Sequence, residues 1–309
     1  GCASLSKSQI QSACSYKCKE KNKFVIPDWL PEHNDGRVYT PSHNIAPTDV
    51  TPVMVSASKY NNAKSSMVLK PMMWGIIPPW CKEDYRTHNI STNNCRIENV
   101  MTSKLYRPIL KNGGRCVILF EGFYEWQTVN TTSKNRQPYY IYAQQKEGVE
   151  IDDPQTWNNN YDEENGFTGI NLLRLAGLYN VWQNEDKIIY SYTVITMESN
   201  ETLNWLHHRM PAVLNTEELA EAWLDIDNVS PEMAISLLKP ANILFWHPVS
   251  TTVNNSRNKS NDCNKKIKDK NEKAIQKTLN SWLVIGNKRK INNDNKVTTI
   301  PNKKMKPDK

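Results

Sequence analysis

Five runs of β-branched and aromatic residues, separated by short polar breaks, constrain the fold of this chain most. They span residues 51–57, 115–126, 138–144, 172–182 and 191–196. Residues of these types favour the pleated backbone, and polar breaks end strands, so each run predicts β-structure. Helical patterns are fewer. The balance predicts a mainly antiparallel, β-rich α+β fold with a few flanking helices.

Three segments have a helical pattern. The first lies near the start, at residues 6–21. The second, residues 216–226, has Thr216 as its predicted N-cap, and the third, residues 230–239, has Ser230 in that position with a proline directly after it. Ser and Thr cap helix starts because their side-chain oxygens accept free backbone N–H groups, and proline is tolerated in the first turn.

The charge of the chain is divided unevenly. The net charge is +7, but residues 251–309 contain 16 Lys and Arg against 5 Asp and Glu, which leaves residues 1–250 at −4. The basic end is rich in Lys and Asn and poor in apolar residues, so we expect one domain over 1–257 and a disordered tail over 258–309. An acidic, Asn-rich stretch at about 145–167 is expected to be a solvated surface insertion.

Several classes of protein are disfavoured by composition. No run approaches the 18 or so apolar residues of a membrane span, and the first 25 residues lack the apolar centre of a signal peptide. Seven scattered cysteines favour reduced thiols over a disulfide framework. Cys14 and Cys18 have a C-x3-C spacing, but no His or Cys pair follows at zinc-ligand spacing, and two cysteines on one helical face is the simpler interpretation.

Four separated motifs supply complementary chemical groups. They are Cys2, NCR at 94–96, GFYEW at 122–126 and HHRMP at 207–211. Together they offer a thiol, an amide with a cation, a carboxylate between aromatic residues, and an imidazole with a cation. A cysteine that becomes the first residue carries an amine and a thiol on one framework. Such a 1,2-aminothiol condenses with an aldehyde to a five-membered thiazolidine, which an internal cysteine cannot do.

These motifs, in this order, resemble those of the SRAP family, the SOS response-associated peptidases. The resemblance runs from residue 2 to about 257, and the segment 245–258 resembles the eukaryotic branch. Seven stretches carry it: Cys2, HNIAPT at 43–48, MMWGIIPPW at 72–80, NCR, GFYEW, LAGLYNVW at 175–182 and HHRMPAVL at 207–214.

The resemblance implies a single SRAP-like domain that processes abasic sites in DNA. Family members attack the open-chain aldehyde of an abasic site with the amine of their terminal cysteine, and the thiol closes the ring. The implied product is a DNA–protein crosslink on single-stranded DNA. The implied setting is the nucleus, without a cofactor or metal, and we expect a monomer.

The motifs also suggest roles for individual side chains. Glu125 lies between two aromatic residues, where desolvation raises a carboxyl pKa, and with His207 it is expected to move protons. Asn94 is expected to hold a sugar hydroxyl or the developing imine. Arg96 and Arg209 are expected to bind flanking phosphates through two parallel hydrogen bonds.

Trp74 and Trp80 flank a loop that two prolines stiffen. Exposed tryptophans stack on unpaired bases and contribute about 1–3 kcal/mol per base. Buried tryptophans belong to a core instead. We favour a core position for Trp74 and leave both interpretations open for Trp80.

The chain departs from the family pattern at its start. Members begin Met-Cys-Gly-Arg, whereas this sequence reads Gly1-Cys2-Ala3-Ser4. If Gly1 is retained, the nitrogen of Cys2 is an amide and no thiazolidine forms. An arginine at position 4 is expected near a DNA phosphate, so Ser4 is expected to weaken binding.

The tail contains one candidate partner motif and one candidate nuclear-import signal, Lys288-Arg289-Lys290. The segment 276–283 resembles the pattern that binds replication sliding clamps, or is an isolated apolar patch. A short amphipathic turn brings its apolar side chains to one face, which fits a hydrophobic pocket. The residues concerned are Gln276, Leu279, Trp282 and Leu283.

Three functions from different classes remain open on the sequence alone. The first is an enzyme that crosslinks itself to abasic sites through Cys2. The second is a cysteine-dependent peptidase that uses Cys2, His207 and Glu125. The third is a noncatalytic reader of single-stranded or modified DNA that lacks a free Cys2 amine.

Overall fold

A computed structural model describes residues 1–267 except 19, 61–64, 83, 89 and 133–134. A compact unit runs from Gly1 to Lys266, past the boundary predicted at residue 257. The candidate clamp-binding segment 276–283 and the basic cluster 288–290 lie outside the described residues and stay predictions.

Strands dominate the described residues. The helices are α1 Lys7–Ala13, α2 Ile97–Val100, α3 Tyr106–Lys111, α4 Glu217–Leu224 and α5 Pro231–Leu237. The strands are β1 Cys2–Ser4, β2 Tyr16–Cys18, β3 Lys23–Val25, β4 Asp28–Trp29, β5 Ser42–Ile45, β6 Val50–Thr51, β7 Val53–Ser56, β8 Met67–Leu69, β9 Met72–Trp74, β10 Asn94–Arg96, β11 Arg115–Phe120, β12 Gly122–Trp126, β13 Pro138–Ala143, β14 Tyr161–Asp162, β15 Gly166–Phe167, β16 Leu173–Asn184, β17 Lys187–Glu198, β18 Arg209–Pro211 and β19 Leu244–Pro248.

Two large sheets contain most of these strands. The first has the order β19-β13-β12-β1-β5. The second follows the path β4-β8-β7-β11-β16-β17-β9-β6, with β10 and β18 also paired to β17. Most pairs are antiparallel, and β10–β17, β17–β9 and β4–β8 are the parallel pairs in the described part of the chain. The predicted mainly antiparallel, β-rich α+β domain is confirmed.

The apolar run at 115–126 divides into two strands that belong to different sheets. Strand β11 pairs with β7 and β16, and after Glu121 the chain continues as β12 between β1 and β13. Gly122 permits the crossing, because a Cβ there would lie 2.4 Å from Cζ of Tyr140 and 2.7 Å from the carbonyl oxygen of Ile141. The β12 residues therefore reach the sheet that contains Cys2.

Two of the three predicted helices are confirmed with their caps. The hydroxyl of Thr216 accepts the N–H of Leu219, and that of Ser230 accepts the N–H of Met233. The first prediction is wrong beyond Ala13, because residues 16–18 form β2, which pairs with β3. Cys14 and Cys18 therefore do not share a helical face.

The acidic stretch predicted at 145–167 contains a short hairpin, β14–β15. It also contacts the rest of the fold, since Lys23 forms a 2.8 Å ion pair with Glu163, and Asp152 accepts the N–H of Lys266. None of the helices in the described residues has the length and apolar character that crossing a bilayer requires.

A buried polar network fastens the segment after residue 257 to the first sheet. Glu121 is fully buried, and its Oε1 accepts hydrogen bonds from the hydroxyl of Tyr140 (3.2 Å) and from Nδ2 of Asn264 (3.1 Å). His247 on β19 holds the same segment, because its Nε2 lies 2.8 Å from the carbonyl oxygen of Asn264. Cys263 is also buried. These contacts explain why the folded unit exceeds its predicted length.

The network makes stability depend on pH. Burial raises the pKa of Glu121 from 4.5 to about 7. The folded state therefore favours the protonated carboxyl, and this stabilisation is complete below pH 4.5 and is lost as the pH rises to about 7. Between pH 5 and pH 8, we expect the free energy of unfolding of the wild type to fall by up to about 3 kcal/mol more than that of Glu121→Gln, which has no carboxyl group to ionise.

Urea unfolding of both proteins at the two pH values measures this effect. Comparing the two proteins cancels the contribution of His247, whose pKa burial lowers. The exposed Glu147→Gln serves as the matched control and should leave the pH dependence unchanged. An equal pH dependence in wild type and Glu121→Gln would show that Glu121 is already ionised in the folded protein at pH 5.

Candidate active site

The two sheets together line a cavity of about 390 Å³. Strands β1 and β12 contribute Cys2 and Glu125, and strands β10 and β18 contribute side chains from the second sheet. The structure thus brings together six of the residues predicted from the motifs: Cys2, Asn94, Arg96, Glu125, His207 and Arg209.

Cys2 lies on β1, an interior strand of the first sheet. It pairs with Phe123 on β12 and with Ile45 on β5, and its side chain is fully buried. Burial raises the pKa of its thiol well above the ordinary value. The charges that act on this thiol include Asp49 and Lys259 rather than an imidazole. The thiol is therefore neutral at physiological pH and needs a proton acceptor before it can act as a nucleophile.

Glu125 projects from β12 two residues beyond Phe123, and alternation along a strand places both on the same face as Cys2. Burial raises the pKa of Glu125, as the sequence predicts, while the charge of His207 opposes this shift. One oxygen, Oε1, accepts the N–H of Trp126 at 3.1 Å. At any given pH a larger fraction of this carboxyl group is therefore protonated than in an exposed glutamate, as a general acid requires.

His207 lies in the turn before β18. Its backbone N–H donates to the carbonyl oxygen of Leu203, and its Nδ1 lies 3.1 Å from both the N–H and the carbonyl oxygen of Arg209. An unprotonated Nδ1 accepts a hydrogen bond from the N–H of Arg209, whereas a protonated Nδ1 donates one to the carbonyl oxygen of Arg209. Residue 209 therefore offers a backbone partner to either protonation state of the ring.

Strand β10 directs alternate side chains to the cavity. Cys95 is buried, while Asn94 and Arg96 on either side of it are exposed. Both also line an adjoining groove of about 390 Å³ that contains Trp80. Trp80 is 51% exposed. Of the core and surface positions left open for Trp80, the structure therefore supports the surface position.

Trp74 has the core position that we favoured. It is buried at the floor of the cavity, and its ring packs against Phe120 and lies parallel to Tyr192. Its Nε1 donates to the carbonyl oxygen of Asn93 at 3.0 Å. These contacts hold the Trp74 ring inside the protein, and its hydrogen bond to Asn93 fixes the backbone just before β10.

Arg209 has a partner that the motifs did not reveal. Its guanidinium forms two parallel hydrogen bonds with Glu98, NH1 to Oε1 at 2.8 Å and NH2 to Oε2 at 3.0 Å. NH2 also donates to the carbonyl oxygen of Thr196 at 2.8 Å. An acidic residue two positions after Arg96 was the available signal, but its partner is 111 residues away in the chain.

The two residues near Cys2 at the start of the chain, Gly1 and Ser4, have little free space around them. Ser4 is buried in β1, so it does not lie on a phosphate-binding surface. Gly1 lies at the cavity, where a Cβ would approach Oδ1 of Asn44 to 2.8 Å and the carbonyl oxygen of Ile45 to 3.0 Å. A larger residue before Cys2 therefore has to displace its neighbours.

The fold and the site define a β-rich protein in which a buried cysteine, a carboxylate with a raised pKa and an imidazole share one cavity. The sequence profile of the family named SOS response associated peptidase (SRAP) matches residues 4–256. The chain belongs to this family.

Relatives and solved structures agree with this assignment. The chain is 38% identical to abasic site processing protein HMCES of Xenopus tropicalis, over 84% of this chain and 75% of that protein. It is 30% identical to abasic site processing protein YoqW of Bacillus subtilis, over 77% and 90%. Crystal structures of proteins from Bacteroides thetaiotaomicron (TM-score 0.52, 23% identity, 71% of this chain and 82% of that one) and Bordetella bronchiseptica (0.55, 15%, 81% and 98%) share the fold.

Proposed function

We propose that this protein processes abasic sites in single-stranded DNA by forming a covalent crosslink through Cys2. The observation that carries the proposal is the convergence of Cys2, Glu125, His207 and Asn94 on one cavity. The names of the relatives support the same substrate. The chemistry requires the form of the protein in which Cys2 is the first residue.

The crosslinking reaction balances without a cofactor. The Cys2 amine adds to the aldehyde carbon of the abasic sugar to give a carbinolamine. Loss of its hydroxyl group as water leaves an imine, and the thiol sulfur then adds to the imine carbon while its proton passes to the nitrogen. One amine, one thiol and one aldehyde thus become one thiazolidine and one water molecule.

Glu125 suits both proton transfers. Because burial raises its pKa, a protonated fraction is available to donate to the departing hydroxyl group. The resulting carboxylate can then accept the proton of the neutral Cys2 thiol and pass it to the nitrogen. The positive charge of His207 favours the ionised carboxyl group of Glu125, whereas burial favours the protonated one, so the two effects on the Glu125 pKa oppose each other.

Binding groups surround the reactive ones. Asn94 and Arg96 lie between the cavity and the groove that contains Trp80. An exposed tryptophan stacks on bases of any sequence, and a guanidinium binds a phosphate. A single strand that follows the groove would deliver its sugar to the cavity while Arg96 holds the backbone.

A crosslinking assay tests the proposal. Protein with Cys2 at its terminus is incubated with a single-stranded oligonucleotide that contains one abasic site, then boiled and run on a denaturing gel. We expect a shifted band, and none with an undamaged oligonucleotide of the same sequence. No shifted band with the abasic strand, under conditions in which that strand is bound, would overturn the crosslinking function.

The residues should separate into those that move protons and those that bind. We expect Glu125→Gln and His207→Ala to slow single-turnover crosslinking about 100-fold at saturating DNA, because removing a general acid–base costs at least this much. We expect Arg96→Ala to weaken binding and to lower the slope of log K against log salt by about 0.7, the value of one single-strand phosphate contact. Equal losses of affinity in all three, with unchanged rates at saturation, would contradict this division.

Of the two other candidate functions, the cysteine peptidase has less support from the structure than the noncatalytic DNA reader. A cysteine peptidase needs a thiolate paired with an imidazole, whereas burial keeps the Cys2 thiol neutral and the charges that act on it are those of the terminal amine, Asp49 and Lys259. A noncatalytic DNA reader has one specific observation in its favour. Gly1 fits at the cavity with its carbonyl oxygen bonded to the N–H of Tyr124 at 2.8 Å, so a form that retains Gly1 keeps the binding groups without a free Cys2 amine.

A further inference from the structure

The ion pair between Glu98 and Arg209 joins a side chain that is half exposed to one that is mostly buried. The Arg209 side chain is 13% exposed, and its NH2 is also bonded to the carbonyl oxygen of Thr196. The Glu98 side chain is 49% exposed. If the pair opens, Glu98 can turn into solvent while Arg209 keeps its place through Thr196. The arginine edge at the cavity would then be free.

A second cation acts on the same carboxylate. Hydrogen bonding to Arg209 lowers the pKa of Glu98, and the charge of nearby Arg96 lowers it further. Glu98 lies in α2, two residues after Arg96, and Arg96 and Arg209 line the same cavity. Glu98 is therefore an anion held within reach of the two arginines expected to bind phosphate.

The geometry on Arg209 is one that a phosphate can take over. A guanidinium binds a carboxylate and a phosphodiester through the same pair of parallel N–H groups. The two hydrogen bonds now made to Glu98, at 2.8 and 3.0 Å, use this edge. A DNA phosphate can reach Arg209 in this way only by displacing Glu98.

We propose that Glu98 is an anionic placeholder, which occupies the position of a DNA phosphodiester on Arg209 in the free protein and yields it when a single strand enters. The inference rests on the proposed function. Exchange of one anion for another keeps the guanidinium oriented beside His207 and lowers affinity for DNA, since each binding event has to break an ion pair.

The exchange predicts an altered salt dependence. In the wild type, the phosphate contact of Arg209 releases a counterion from the DNA, but the freed Glu98 carboxylate attracts a cation in return, so the exchange has little net ion release. In Glu98→Gln that contact should release counterions as an ordinary phosphate contact does, and the slope of log K against log salt should steepen by about 0.7. We also expect affinity at low salt to rise about 3- to 10-fold.

Fluorescence anisotropy with an undamaged single-stranded oligothymidylate measures both quantities without crosslinking. Glu218→Gln, which removes an exposed charge on α4, is the matched control and should change neither. In Arg209→Gln, adding Glu98→Gln should no longer increase affinity or slope. Thermal melting of each variant confirms that it is folded.

The outcomes separate the two proposals. Failure of every protein to bind the oligonucleotide would overturn DNA binding and the placeholder together. Binding with an unchanged slope in Glu98→Gln would overturn the placeholder alone. An equal gain of affinity in the Arg209→Gln background would also overturn it, because the effect would then come from general charge repulsion. Should Arg209→Gln melt early, Arg209→Met replaces it, since methionine keeps much of the apolar stem and lacks the charge.

Discussion

Replacing Cys2 with serine is expected to abolish the boiling-resistant adduct with abasic single-stranded DNA, a loss of at least about 100-fold in crosslinked product. The variant retains the terminal amine and still forms an imine. An imine hydrolyses readily, whereas ring closure by sulfur traps the carbon, and a hydroxyl is a much poorer nucleophile than a thiol. The measurement is the fraction of labelled oligonucleotide that stays shifted after boiling.

Cys14→Ser is a matched control for this experiment. Cys14 is also a free, buried cysteine whose pKa burial raises to about 12, but it lies at the end of α1 and does not line the cavity. It should crosslink as the wild type does. A Cys2→Ser adduct that withstands boiling as well as the native one would eliminate the thiazolidine, even if DNA binding is confirmed.

The strands of the fold were predictable because their signal is local. The run at 138–144 matches β13, and Thr216 and Ser230 cap helices as their hydroxyl groups suggest. The break at Glu121 was not predictable, since a fully buried carboxylate within an apolar run is explained only by its bonds to Tyr140 and to Asn264. Asn264 is 143 residues away in the chain.

The same distinction applies to the site. Cys2, Glu125 and His207 belong to short motifs, and the cavity unites them. Glu98 escaped prediction because it pairs from α2 with Arg209 on β18, 111 residues away in the chain. The burial of Ser4 was not predictable for a similar reason, because it follows from β1 being an interior strand of its sheet, and the expectation that serine at this position weakens DNA binding stays a prediction.

A form that retains Gly1 is expected to bind abasic single-stranded DNA but to form no boiling-resistant adduct. Its Cys2 nitrogen is an amide, whose lone pair is delocalised and cannot condense to an imine. The thiol can still add to the aldehyde, but the product is a hemithioacetal that reverses. Removing Gly1 should restore crosslinking and leave affinity within about 3-fold, since the groove with Trp80 and Arg96 is unchanged.

The comparison requires two purified proteins whose intact masses differ by one glycine, each incubated with the same oligonucleotide and boiled. A stable adduct of the intact Gly1 form, made at the rate of the trimmed form, would identify another nucleophile. The Gly1 amine is the first candidate, because it lies at the cavity and burial lowers its pKa, and Lys259, whose charge acts on Cys2, is the second. The Nζ of Lys259 is bonded to Asp49 at 2.9 Å and to the carbonyl oxygen of Asn44, and it would have to leave these partners to attack the aldehyde. Borohydride would trap a lysine imine, and Lys259→Arg should then remove the trapped product.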